Sequence, residues 1–452
     1  MTGPAPAAKV NLSELLENSA IGPLQIRVFV LCMICLIMDG FDVQAMGYAG
    51  PALVADWGIG RPALGPVFAA ANFGVLVGSL LFTMLADVIG RRPVIIWATL
   101  FFSVMTIATG FAQNIEQLYL LRFISGLGLG CIVPNATALV GEFSPKRSRV
   151  TLTMGITVGF TAGAAIGGFV ALWLIPLFGW RSVFFVGGAV PLVLTIAMLA
   201  RLPESLQFLV LKGRDAQARD WLARFAPQAG IDAHTRLVVR ERAASGAPVA
   251  ELFRHGRLPV TLLLWAISFM NLIDLYFLSN WLPTVMRDAG YSPGTAVIVG
   301  TVLQTGGVIG TLSLGWFIER HGFVRVLFAC FACAAVSVGL IGSVAHALPW
   351  LLIVVFAGGF CVVGGQPAVN ALAGQYYPTS LRSTGIGWSL GIGRIGSVLG
   401  PLVGGQLIAL NWSNGALFHA AAVPVLCSAL FVLGLAGVTR RGGAQAPNAA
   451  MN

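Results

Sequence analysis

The chain has 452 residues, 57% of them hydrophobic and 10% charged, with a formal net charge of +10. Soluble domains carry about 25% charged residues, so this composition excludes an ordinary soluble protein and reads as an all-α polytopic membrane protein. The positive charge does not indicate a nucleic-acid partner, because the basic residues follow an alternating loop pattern and form no aromatic-interleaved patch.

Residues 1–25 show no cleavable signal pattern, and Asn11-Leu12-Ser13-Glu14-Leu15-Leu16-Glu17-Asn18 predicts a short amphipathic helix. Apolar runs long enough to cross a bilayer then follow at about 26–48, 63–85, 94–112, 117–140, 150–174 and 182–201. After a polar segment the runs resume at 258–283, 296–318, 326–344, 350–374, 383–408 and 415–438. The organisation predicted is an N-terminal segment (1–25), a six-helix half (26–201), a polar linker with helical stretches (202–257), a second six-helix half (258–438) and a tail (439–452). Arg91, Arg92, Lys146, Arg147, Arg149, Arg320, Arg325, Arg382, Arg440 and Arg441 fall in alternate loops with the linker arginines. The positive-inside rule places those loops and both termini in the cytoplasm.

The first apolar run contains Met38-Asp39-Gly40-Phe41-Asp42-Val43-Gln44. An ionisable group at that depth costs at least ~2.5 kcal/mol on insertion scales, so it is tolerated mainly where it faces a partner or a water-filled path. Asp39 and Asp42 stand at i and i+3, on one helical face.

The two halves repeat. Asp87 and Glu319 end the second and eighth runs, Gly90 and Gly322 follow them, and 319 − 87 and 322 − 90 are both 232. Gly74 and Gly78 recur at the same offset as Gly306 and Gly310, while Pro145 and Arg149 recur at 233 as Pro378 and Arg382. A duplicated unit of this kind predicts one half rocking against the other. Adding 232 to Asp39 and Asp42 gives Asn271 and Asp274, which pairs the seventh span with the first across a cavity. Asp274 either mirrors the helix-one acids or hydrogen-bonds within the second half.

Further charges mark the loops and span interiors. Asp87 is suited to cap a helix N-terminus or pair with a cation, Gly90 to make a tight turn, and the cluster to latch the cytoplasmic face. Arg122 heads Arg122-Phe123-Ile124-Ser125-Gly126-Leu127-Gly128-Leu129-Gly130. It is expected either to snorkel to the interface or to take part in proton coupling. Arg394 lies inside a glycine-lined eleventh span (Gly385, Gly387, Gly391, Gly393, Gly396, Gly400, Gly404), whose spacing permits close helix contact. A guanidinium binds a carboxylate bidentately, so Arg394 is expected to hold an anionic ligand or a permanent internal ion pair. Asn271, Tyr276, Gln304, Gln366, Asn370 and Trp388 offer groups suited to an aromatic or hydroxylated ligand, while Trp281 is expected at the membrane interface. Cys32-Met33-Ile34-Cys35 and Cys330-Phe331-Ala332-Cys333 lie inside spans without a second ligand pair and read as packing groups, with no metal. His255, His321, His346 and His419 are dispersed, and no catalytic constellation suggests an enzyme.

The Asp-Gly-Phe-Asp element, the loop around Asp87, Arg122 with its glycines, Gly141-Glu142-Phe143-Ser144-Pro145-Lys146-Arg147 and Gly391-Ile392-Gly393-Arg394 together resemble the aromatic acid:proton symporter branch of the major facilitator superfamily. The loop departs from the superfamily pattern at Thr83, where a glycine is usual. The resemblance implies twelve helices in two pseudo-symmetric halves and import of a benzoate- or hydroxybenzoate-like acid across the bacterial inner membrane by alternating access. It needs no cofactor beyond the coupling proton, and a monomer in lipid is expected. It implies that Asp39 and Asp42 are required for transport; with the repeat and the residue reading, proton coupling is expected through Asp39, Asp42, Asp274 and Arg122, and substrate binding by Arg394 and the polar groups named with it. A cytoplasmic gate would comprise Asp87, Gly90, Arg91, Arg92, Glu142, Arg149, Glu319 and Arg382. Proton-coupled export of aromatics or drugs and symport of another organic anion are the alternatives.

Overall fold

The computed structural model describes residues 9–12, 21–225, 236–238, 249–378 and 381–441. The first six spans are Pro23–Trp57, Leu64–Ile89, Arg91–Gly110, a fourth made of Ile115–Leu129 and Ile132–Phe143, then Arg149–Phe178 and Arg181–Arg201. The last six are Leu258–Asp288, Pro293–His321, Phe323–Val344, Leu348–Tyr376, Arg382–Ala409 and Asn414–Arg441. Among the described residues, 11 are long and apolar enough to cross a membrane by length and composition. The remaining long helix is the first, 35 residues carrying Asp39 and Asp42. It overruns its expected end because the chain stays helical through Pro51 to Trp57.

Local chemistry sets the ends. Asn114 accepts from the Gln117 backbone at 2.8 Å to start the fourth span, and Ser292 accepts from the Thr295 backbone at 3.1 Å before the eighth. The turns after the second and eighth spans pass through Gly90 (φ 103°) and Gly322 (φ 81°), a backbone region that side chains disfavour.

Packing repeats as the sequence does. The first span packs on the fifth, the second on the fourth and the third on the sixth; the seventh packs on the eleventh, the eighth on the tenth and the ninth on the twelfth. The repeated glycines make these contacts. A β-carbon at Gly74 or Gly78 would overlap the carbonyl of Phe123 or Leu127, and one at Gly306 or Gly310 that of Phe356 or Phe360. Between the sets, the second span meets the eleventh, the fifth meets the eighth and the first meets the seventh.

Trp281 is not at a membrane interface: it is fully buried, stands edge-on to Phe68 at 5.3 Å, and donates its indole N–H to the Pro401 carbonyl at 3.0 Å. The close approach at Gly404 leaves room for the indole inside the bundle, where a buried N–H needs a partner.

In the linker, helices Leu206–Leu211 and Asp215–Phe225 pack with Leu12 and Leu237 into the buried cluster of the first six spans. Strand Lys9–Asn11 pairs in parallel with Arg236–Val238. Of the expected N-terminal helix at 11–18, residues 13–18 lie outside the described residues, and Asn11 is in this strand.

Candidate functional site

Four spans close around Asp42. Arg122 Nη1 donates to Asp42 Oδ1 at 3.1 Å, Nη2 lies 3.0 Å from Oδ2, and Nη2 also donates to the Asp42 carbonyl at 3.0 Å. Thr106 of the third span donates to Oδ1 at 2.7 Å, and the guanidinium lies 5.8 Å from the Phe184 ring centroid. Asp42 is 0% exposed and Arg122 1%. The expected interfacial snorkelling of Arg122 is therefore wrong, because the carboxylate across the bundle satisfies the guanidinium inside it.

Asp39 lies one turn earlier on the same span. It is buried and lies within the electrostatic influence of Arg394 first and Asp42 second. Tyr276 of the seventh span feels the same Arg394 and Asp39 charges. The first, seventh and eleventh spans thus hold an acid, a phenol and a guanidinium within electrostatic range of one another.

Beside this group, Asn271 Nδ2 donates to Gln366 Oε1 at 2.7 Å and to the Val362 carbonyl at 3.3 Å. Gln366 Nε2 continues to Asn370 Oδ1 at 3.2 Å. This polar row joins the seventh and tenth spans. Asp274 is 0% exposed, and neither carboxyl oxygen has a hydrogen-bond partner among the described residues. Trp388 stacks on Trp265 at 5.9 Å with an interplanar angle of 21°.

The two sets of spans are bolted together at the end away from the linker. Gln44 Nε2 donates to the Ser279 carbonyl at 2.6 Å, while Gln304 Nε2 donates to Gln44 Oε1 and Ser279 Oγ, each at 3.0 Å. Asn72 Nδ2 donates to the Ser397 carbonyl at 3.0 Å, and Arg61 pairs with Asp288. Gln304, expected among the ligand groups, is a bolt in this state, since both acceptors of its amide come from the facing helices. A small pocket lined by Phe68, Asn72, Arg122 and Asn280 lies among the first, second, fourth and seventh spans. At the rim, Asp56 accepts from Trp180 at 3.0 Å and Arg181 at 2.9 Å. The indole hydrogen bond, then the arginine, holds this carboxyl below its ordinary range.

At the linker end, Glu204 Oε1 accepts from the backbones of Arg91 at 3.0 Å and Arg92 at 3.1 Å, capping the third span. Arg91 pairs with Glu142 at 2.5 Å, and the Ser205 hydroxyl also bonds Glu142. Arg92 donates to the carbonyls of Leu202 at 2.8 Å and Leu199 at 2.7 Å. Asp87 does not take the expected capping place: it is exposed, and among the described residues it makes no ion pair, because Glu204 already fills the third-span N-terminus. Glu319 and Arg382 are exposed and likewise make no ion pair among the described residues, and Arg149 is half-buried. Glu204, Ser205, Thr106 and Ser279 were not singled out in the sequence. Glu204 alone had a signal, an acid beside Pro203 where the apolar sixth run stops.

The family model for sugar (and other) transporters matches residues 30–436. The chain is 38% identical to the 4-hydroxybenzoate transporter PcaK of Pseudomonas aeruginosa over 94% of this chain and 95% of that one. It is 37% identical to the gallate transporter of Pseudomonas putida over 96% of each. It is 32% identical to the benzoate transport protein of Acinetobacter baylyi over 92% of this chain and 91% of that one. A solved structure of the xylose transporter XylE from E. coli, in a partially occluded inward open conformation, shares the fold with a TM-score of 0.73 at 15% identity, covering 91% of this chain and 98% of that one. The chain therefore belongs to the sugar (and other) transporter family, on the aromatic acid branch of the major facilitator superfamily.

Proposed function

We propose that the protein imports a benzoate- or hydroxybenzoate-like carboxylate together with protons across the bacterial inner membrane, by alternating access. The observation that carries this reading is the meeting of Arg394, Asp39 and Tyr276 in a bundle bolted shut at one end. The 4-hydroxybenzoate, gallate and benzoate carriers to which the chain is similar support the substrate class.

Arg394 stays charged at any working pH, and in the empty carrier Asp39 shares its field. A substrate carboxylate that pairs with Arg394 competes with Asp39 for that charge. Asp39 then binds a proton, and the loaded site is neutral enough to cross the occluded state. Tyr276 and the Asn271–Gln366–Asn370 row offer the ring and its hydroxyls a hydrogen-bonding wall. Asp42, held by Arg122, ties the first span to the fourth and keeps Asp39 facing the eleventh.

The arginine-rich linker end is assigned to the cytoplasm by the positive-inside rule, which puts both termini there and makes the bolted end periplasmic. The state described is then inward-facing. Arg91, Arg92, Glu142 and Glu204 hold the N-terminal latch together, while Glu319 and Arg382 wait for partners in the outward-facing state.

The test is uptake of labelled benzoate, 4-hydroxybenzoate, protocatechuate, gallate and gentisate into proteoliposomes under an inward proton gradient, with and without protonophore. Protonophore-sensitive accumulation of at least one acid, lost in Arg394→Gln, is the expected result. Expulsion from preloaded vesicles without accumulation would overturn import.

A further inference from the structure

We infer that Asp274 and Asn271 form a second proton site, in the C-terminal half, whose occupation makes the transport cycle electrogenic. The inference rests on the carboxylate-import reading and adds to it the ion count and the place of the second ion.

The repeat sets Asn271 and Asp274 232 residues after Asp39 and Asp42, yet the two pairs have opposite surroundings. Asp42 meets an arginine and a threonine at 3.1 and 2.7 Å. Among the described residues Asp274 has no polar partner: both oxygens are buried without a hydrogen bond, and so is Asn271 Oδ1 one turn away. The first, eighth, tenth, eleventh and twelfth spans pack on the seventh. Their titratable and charged groups are Arg27, Cys32, Cys35, Asp39, Asp42, Tyr48 and Asp56 on the first, Glu319, Arg320 and His321 on the eighth and Cys361 and Tyr376 on the tenth. The eleventh carries Arg382 and Arg394, and the twelfth His419, Cys427, Arg440 and Arg441. Among the described residues none of them hydrogen-bonds to either carboxyl oxygen of Asp274. A bare carboxylate there has neither donor nor cation to offset its dehydration. A single proton on either oxygen removes the charge and gives Asn271 Oδ1, three residues away on the same face, a donor.

The site also has an outlet. Asn271 bonds Gln366, and Gln366 bonds Asn370, each step nearer the linker end along the tenth span. The proton binds to the carboxylate in the outward-facing state, and in the inward-facing one it passes to water that enters beside this row from the linker end. No bond other than O–H forms or breaks.

One proton with one monocarboxylate moves no net charge, whereas two protons move one positive charge inward. Proteoliposomes loaded with potassium at tenfold excess over the bath and treated with valinomycin become negative inside. Wild-type accumulation of the acid identified in the uptake panel should then rise on the order of tenfold above that driven by the pH gradient alone. Asp274→Asn, which keeps the shape of the neutral acid, should lose that rise while still accumulating under the pH gradient; Asp274→Glu should retain it. Wild-type accumulation indifferent to potential overturns the inference without a variant. So does an Asp274→Asn carrier that keeps the tenfold response. Absence of any aromatic-acid accumulation overturns the import reading instead, and this inference with it.

Discussion

Arg122 holds Asp42 at both carboxyl oxygens and at its backbone carbonyl, with contacts of 3.0–3.1 Å between two fully buried side chains. Removing one partner of a buried pair strands the other charge at about 3–5 kcal/mol, while replacing both by apolar groups is often neutral. Arg122→Leu is therefore expected to lower the thermal unfolding temperature in detergent sharply, and Arg122→Leu with Asp42→Leu to recover most of it. Arg122→Lys should fall between, because an ammonium cannot match the fork.

Gln44, Ser279 and Gln304 close one end with three hydrogen bonds. Each is worth about 0.5–1.5 kcal/mol net, so Gln304→Ala is expected to shift the inward–outward equilibrium several-fold toward outward. Ser279→Cys, introduced alone and with Gln304→Ala, reports this through an impermeant thiol reagent applied from outside. Labelling should be faster in the double variant.

Glu204 takes the capping role that the sequence suggests for Asp87. Glu204→Ala removes the cap of the third span and is expected to cost about 0.5–2 kcal/mol, read as a lower unfolding temperature. Asp87→Asn should leave stability nearly unchanged and alter transport rate alone, if Asp87 acts only in the outward-facing latch.

Asp56 gives a pH-dependent term. Its carboxyl lies below the ordinary range through Trp180 and Arg181, so its contribution is present above the unfolded value, about 4, and is lost as pH falls through the folded one. Asp56→Asn should flatten the stability profile in that acidic window and leave neutral pH unaffected in slope. Melting curves between neutral and acidic pH measure it.

What could be read from sequence was whatever repeats or is costly. Spans follow from apolar length, the two halves from a constant offset, and Asp39, Asp42 and Arg394 from the expense of a charge in hydrocarbon. Partner choice was not legible. Arg122 and Asp42 lie 80 residues apart, and nothing local says that the guanidinium turns inward rather than toward the interface. Trp281 departs from its expected place for the same reason, since indoles suit both places and only the gap at Gly404 decides. Glu204 lost to Asp87 because motif spacing is visible in a chain and the return of the sixth span beside the third is not.

The repeat makes one further prediction through its glycines. Gly78 and Gly310, 232 residues apart, each sit where a β-carbon would overlap a backbone carbonyl, of Leu127 and Phe360 respectively. Backbone cannot yield as a side-chain tip does, so accommodating even a methyl group means separating the second span from the fourth, or the eighth from the tenth. Overpacking of this sort costs about 1–3 kcal/mol. Gly78→Ala and Gly310→Ala are expected to destabilise by similar amounts. Gly315, beside which a β-carbon would meet nothing within 4 Å, should tolerate alanine and gain slightly from helix propensity. Thermal unfolding of the three variants in one detergent decides it. Equal losses at the first two with none at the third would tie the offset to helix packing, and a tolerant Gly78 or Gly310 would break that tie.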